Sequence, residues 1–134
     1  IDAYEVSPRN AGATPFEGVA MAKAFGGQDG IRHSVDRLVA DSYADPVIGE
    51  IFESHDRVRL SRTLFEQFCY ILNAGCSYSG RDMKLSHKDL GVEQRDMNRL
   101  VEILQRAMEA EGVEFRVQNR FLSKLAPMRH DIVR

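Results

Sequence analysis

The sequence predicts an all-α domain, and three observations predict it. Apolar residues recur at helical spacing in four separate stretches. No stretch sustains the period-two alternation of a half-buried strand, and no internal repeat or low-complexity tract appears. The breaks between the stretches carry the Gly, Asn and Pro clusters that stop helices. The length of 134 residues suits one buried core and is too short for two. The chain divides into an arm over residues 1–14 and a folded domain over 15–134.

The elements follow in order. The arm, "IDAYEVSPRNAGAT", is rich in small residues, Pro and Asn and has no apolar period, so it reads as extended or loosely attached. Thr14-Pro15 looks like a cap followed by proline at the first helical position, opening a short helix through "FEGVAMAKAF" that Gly26-Gly27 ends. Ile31, Val35, Leu38 and Val39 mark a second helix, interrupted at Asp45-Pro46. After a short turn with Ile48, Ile51 and Phe52, Leu60, Leu64, Phe68 and Leu72 step by four through a third long stretch that "NAG", Asn73 to Gly75, stops. A small helix is expected around Met83 to His87. Val92, Met97, Leu100, Val101, Leu104 and Met108 make a long amphipathic helix up to Gly112, and Val117, Phe121, Leu122 and Leu125 carry a last one into "LAPMRHDIV".

Composition excludes several function classes. The formal net charge is −2, from 18 basic and 20 acidic residues, and the basic residues are spread along the chain, so nucleic acid is not an expected partner. No apolar run approaches the roughly 18 residues that span a bilayer, and the amino end lacks the plan of a signal peptide. No membrane role is expected. The start at Ile1 is compatible with a trimmed chain or with a mature protein whose leader has been cut away.

The chemistry gathers at "YSGRDMKLSH", residues 78–87, where a short helix between glycine stops ends in a histidine. Met83 precedes His87 by four residues and shares its face, so an imidazole and an apolar side chain are offered to one flat object such as haem. A neutral imidazole can bind iron through one nitrogen while a carbonyl holds the other N–H. A half-buried histidine bonded within the core is the competing reading. His33, His55 and His130 compete as ligands, but His33 and His55 fall at the outer start of a helix and in a turn, and His130 follows the helix-restricting Pro127.

Over roughly residues 22–133 the chain resembles the truncated haemoglobins, most closely their first group. The resemblance is carried by Gly26-Gly27, Asp45-Pro46, Phe52 after the second helix, "YSGRDMKLSH", "LGV" at 90–92, "EGV" at 111–113 and "LAPMRHDIV" at 125–133, in order and without gaps. It implies a two-over-two helical sandwich around haem b (iron protoporphyrin IX), with His87 as proximal ligand and metal-binding residue. By the same resemblance Phe52 packs on the distal haem face, Met83 and Leu100 line the proximal side, and Tyr78 and Arg81 lie near the propionates. Val39, Leu60, Leu64 and Phe68 complete the cofactor-binding wall. For Arg81 a solvated surface charge is the alternative.

On the distal side the chain departs from the family pattern. Where many members place a Phe-Tyr pair on the second helix, it has Leu38-Val39, and Leu60 and Leu64 stand where polar groups are frequent. The nearest polar side chain is Gln67, which reads as a residue of the pocket rim, with contact to the bound ligand as the alternative. A neutral hydrogen bond contributes about 0.5–1.5 kcal/mol, and more in a dry pocket. Its absence should speed oxygen release while touching CO and NO less.

Cys69 and Cys76 are seven residues apart. On one continuous helix they would sit about 10 Å apart along the axis, beyond disulfide reach, whereas a helix ending near Asn73 lets the chain fold back and join them. The pair looks like that of an exported branch of the same group, for which Ile1 would be a mature terminus. Export to the periplasm or beyond follows from a disulfide. The alternative is two reduced thiols in a cytoplasmic globin.

The favoured function is therefore a haem protein binding small gaseous ligands, with a possible redox partner, as a monomer or weak dimer. A haem-dependent peroxidase or NO-converting enzyme is the alternative, but it needs a distal acid–base group that Val39, Leu60 and Leu64 do not supply. A cofactor-free helical interaction module is the third class, with His87 structural.

Overall fold

The computed structural model describes residues 4–83, 87 and 91–133. Among them all regular structure is helical: α1 (Ala20–Ala24), α2 (Gly27–Ala44), α3 (Gly49–Phe52), α4 (Arg57–Ile71), α5 (Gln94–Ala110), α6 (Phe115–Leu125) and α7 (Arg129–Ile132), with 3₁₀ turns at Pro8–Ala11 and Ala126–Met128. Met83 and His87 are helical, as expected of the short helix around them. Leu85 and Leu90 of the motifs quoted above lie outside the described residues.

The first expected helix is shorter than its cap signal suggests. Thr14-Pro15 opens no helix, and α1 begins only at Ala20. Gly18 explains the delay: its φ of +69° is left-handed and breaks any right-handed run from Pro15. The remaining long elements follow the apolar periods. Helix α2 buries Ile31, Val35, Leu38 and Val39 and ends at Asp45. Asp56 caps α4, its carboxylate accepting from the amides of Val58 (3.0 Å) and Arg59 (3.2 Å). The Asp96 side chain accepts from the Glu93 amide at 3.0 Å at the start of α5.

Helix α2 packs on α4 and on α5, and α5 on α6, so the domain is two helix pairs laid across each other. Phe121 of α6 fills the centre, fully buried, with its ring edge-on to Phe68 (centroids 4.9 Å apart) and to Phe25 (5.3 Å). Asp45, at the end of α2, accepts from Arg99 of α5 with Nη2 at 2.7 Å, and its other oxygen accepts from the amides of Val47 and Ile48. That carboxylate joins the two pairs and fixes the turn at Pro46.

The segment before α1 lies against this body. Ala11 is fully buried, the Tyr4 hydroxyl donates to Ser79 O at 2.8 Å, and the Asn10 amide donates to Gly80 O at 3.2 Å. At Gly12 an added Cβ would come within 2.9 Å of Met128 Sδ and of Met83 Cγ, so only glycine lets the backbone pass this close.

Helix α4 stops where "NAG" indicates. Asn73 takes a φ of +61°, and the Ala74 amide donates back to Cys69 O at 2.8 Å, the wrap of a helix terminus. The reversal brings the Cα atoms of Cys69 and Cys76 to 5.5 Å, and the two are joined in a disulfide. The Asn73 side chain donates to Gly18 O at 2.8 Å and the Phe16 amide to Ile71 O at 2.8 Å, so the turn also anchors the segment before α1.

Candidate functional site

His87 is half-buried, and its Nδ1 lies 2.8 Å from Met83 O, one turn earlier. A carbonyl can only accept, so Nδ1 carries the proton and Nε2 carries the lone pair. Burial pushes the imidazole below its ordinary value, the Met83 hydrogen bond opposes that shift, and the charge His55 can carry adds to it. The ring is thus held neutral and in one tautomer, the two conditions for binding a metal through Nε2.

Met83 is itself buried, as are Val39, Phe68 and Tyr78, and the four belong to one core. Phe52, Leu64 and Leu100 pack against the edge of that core with part of their surface uncovered, and Leu60, four residues before Leu64 on α4, is also half-buried. The sequence stripe Leu60, Leu64, Phe68 and Leu72 is therefore buried only in its second half. The structure brings the apolar wall residues onto the core and leaves the first half of α4 partly bare.

The two residues expected near the propionates have partners of their own. The Tyr78 hydroxyl is buried and donates to Arg81 O at 2.8 Å; burial pushes its pKa up to about 12. The Arg81 guanidinium lies 5.5 Å from the centre of the Tyr4 ring, a cation–π contact with the segment before α1.

Gln67 is buried, and its amide is committed. Nε2 donates to Ala11 O at 2.8 Å and lies 3.3 Å from Met83 Sδ and 3.7 Å from Met128 Sδ. It faces the Pro8–Ala11 turn and the two thioethers. Sequence reasoning also passed over Ser34 and Ser42 of α2, whose buried hydroxyls have no hydrogen-bond partner among the described residues. Ser42 follows Val39 by three residues and so neighbours it on the helix surface; a small polar residue inside an apolar stripe was the available signal.

Comparison with known proteins places this arrangement. The family described as Bacterial-like globin matches residues 21–134. Group 1 truncated hemoglobin LI410 of Chlamydomonas moewusii is 29% identical over 96 residues, which cover 72% of this chain and 54% of that protein, so the chain spans about half the length of that relative. Among solved structures, the truncated hemoglobin of Tetrahymena pyriformis in its Fe(III) form superposes with a TM-score of 0.81 at 18% identity, over 84% of this chain and 97% of that one. The 2/2 hemoglobin of Synechococcus sp. PCC 7002, in the cyanomet state with covalently attached heme, gives 0.78 at 17% identity over the same shares. THB1 of Chlamydomonas reinhardtii gives 0.73 at 20% identity, over 87% and 98%. These likenesses establish the two-over-two fold that the resemblance implied, and the match from residue 21 to the last residue establishes that the chain belongs to the bacterial-like globin family.

Proposed function

We propose that the chain holds haem b through His87 Nε2 and binds the small diatomic gases O2, CO and NO at a mostly apolar distal pocket. The observation that carries the reading is the hydrogen bond from His87 Nδ1 to Met83 O, which with burial leaves a neutral imidazole whose lone pair is on Nε2. The residues present fit the group. Phe52, Leu60, Leu64 and Leu100 are large apolar side chains left half-covered beside the core, and a planar apolar cofactor would complete their burial. The iron would supply the gas-binding site; the protein supplies its one ligand, a dry wall and the exclusion of polar competitors.

Each wall residue has a part in this reading. Phe52, Val39, Leu60, Leu64 and Phe68 would keep the distal side apolar, and Met83 and Leu100 would back the proximal side. Arg81 would turn from the Tyr4 ring to a propionate, while Tyr78, its hydroxyl spent on Arg81 O, would offer ring surface alone. Neither Val39, Leu60 nor Leu64 has a donor, and Gln67 is held by Ala11 O, so bound oxygen would lack a hydrogen bond from these positions. The Cys69–Cys76 bond supports residence in an oxidising compartment, outside the cytoplasm.

Stopped-flow measurement of oxygen release from the haem-loaded chain tests the pocket. Val39→Tyr should slow release by about tenfold, the effect of one added hydrogen bond. An unchanged rate would put the ligand elsewhere than beside Val39.

A further inference from the structure

We infer that the outer face of α6, with Phe16 beside it, docks a small acidic electron-transfer protein; the inference rests on the haem reading above. The charge of the chain is unevenly distributed. Residues 115–134 hold five Lys and Arg against one Asp, and the rest of the chain holds 13 against 19. Cations that look evenly spread along the sequence are thus the dominant charge at the carboxyl end, as they are, less strongly, along α4, with three Arg against one Glu.

Three of them, Arg116, Arg120 and Lys124, recur at four-residue steps and so share one face of α6. Phe121, the residue after Arg120, is fully buried and packs on Phe68 and Phe25 in the core. Arg120 and Lys124 lean over the Phe16 ring, with Cζ 5.8 Å and Nζ 5.2 Å from its centre, and Lys124 donates to Thr14 Oγ1 at 3.0 Å. A shallow cleft runs between Phe16 and these side chains, and at its end Phe115 is 66% exposed. Among the described residues none of the three cations forms an ion pair, whereas Arg37 and Arg99 are paired with Glu111 and Asp45. A cationic row with an exposed aromatic and no carboxylate of its own is complementary to an acidic protein surface with an apolar centre.

An electron donor is the occupant that this face fits best. Charge attraction between this cationic row and an acidic partner would raise the encounter rate. The helix of the row leads inward: Phe121 meets Phe68 at 4.9 Å, and Phe68 belongs to the proposed haem wall. One electron would pass from the reduced partner to the ferric iron, leaving the partner oxidised by one electron and the iron ferrous. A membrane fits less well, because the apolar face of α6 is spent on the core and cannot enter a bilayer interface.

The test uses the haem-loaded chain and a plant-type [2Fe–2S] ferredoxin as the acidic probe. Reduction of the ferric protein by reduced ferredoxin should slow as salt rises, and Arg116→Glu/Arg120→Glu/Lys124→Glu should slow it by about tenfold at low salt with the absorption spectrum unchanged. The milder Arg116→Gln/Arg120→Gln/Lys124→Gln variant should fall between the two. In a parallel titration with oxidised ferredoxin, amide resonances of residues 115–124 should shift. Equal reduction rates in all three proteins, or shifts confined to another face, would overturn the inference. So would loss of binding to phosphatidylglycerol vesicles in the variants with ferredoxin reduction intact, which would assign the face to lipid. A chain that takes up no haem would sink the functional reading instead, and the resonance titration would still decide the docking face.

Discussion

In the proposed function two demands meet at His87, because the ring would have to be buried to face haem and neutral to bind iron. Burial lowers its pKa from the ordinary 6.5, so the folded state binds fewer protons than the unfolded one in acid. The consequence has a sign: stability is unaffected by this group above about pH 6.5 and falls as the pH drops from there through the lowered folded value. Denaturant titration of the cofactor-free protein should show a loss between pH 7 and pH 5 that shrinks in His87→Leu. An identical pH dependence in both would mean that the ring is solvated. Gln67 shows where sequence stops informing at this scale. Helical spacing put it one turn past Leu64 and suggested a pocket rim, but its partner, Ala11 O, is 56 positions away, and no local pattern marks such a contact. Gln67→Leu should destabilise the fold by about 1–3 kcal/mol by leaving a buried carbonyl unpaired, with oxygen release unchanged. Faster oxygen release would show that Gln67 reaches the gas after all.

Among the elements, α4 and the turn that ends it show how much local chemistry the sequence encodes. Asp56 caps the helix, and Asn73 to Gly75 stop it; both signals are short-range and both are legible. The stop is what makes the Cys69–Cys76 bond possible, since a helix continued through Cys76 would hold the two thiols apart. The start of α1 was less legible, because Thr14-Pro15 is a good cap on local grounds, and the left-handed Gly18 that defeats it is set by contacts with the turn after α4. The partial exposure of Leu60 and Leu64 was likewise hidden, since a periodic stripe tells which face is apolar and not what covers it. Reduction of the disulfide should lower stability by about 2–3 kcal/mol, the loop-closure value for so short a loop, and should loosen α4 together with the segment leading to Tyr78 and His87. Intact mass under non-reducing conditions checks the bond itself: a chain recovered from its native compartment should take up no alkylating agent until reduced, and two freely alkylated thiols would contradict it.

For the molecule as a whole, the all-helical class and the order of the long helices were readable because apolar periods survive in sequence, and the two-over-two arrangement was readable through the resemblance. The ties between the pairs were not. Asp45 and Arg99 are 54 positions apart, and the hydrogen bond from Arg99 holds the Asp45 carboxyl below its usual range, so this tie persists at neutral pH and is lost only as acid protonates Asp45. The same long-range packing carries the central claim of the proposed function, that a neutral, half-buried His87 would present Nε2 to haem iron. The most direct measurement is the visible absorption spectrum of the purified chain titrated with haemin, beside His87→Ala. The account predicts a sharp, saturable Soret band at one haem per chain that the variant loses or shifts strongly, and a spectrum identical in the two proteins would contradict it.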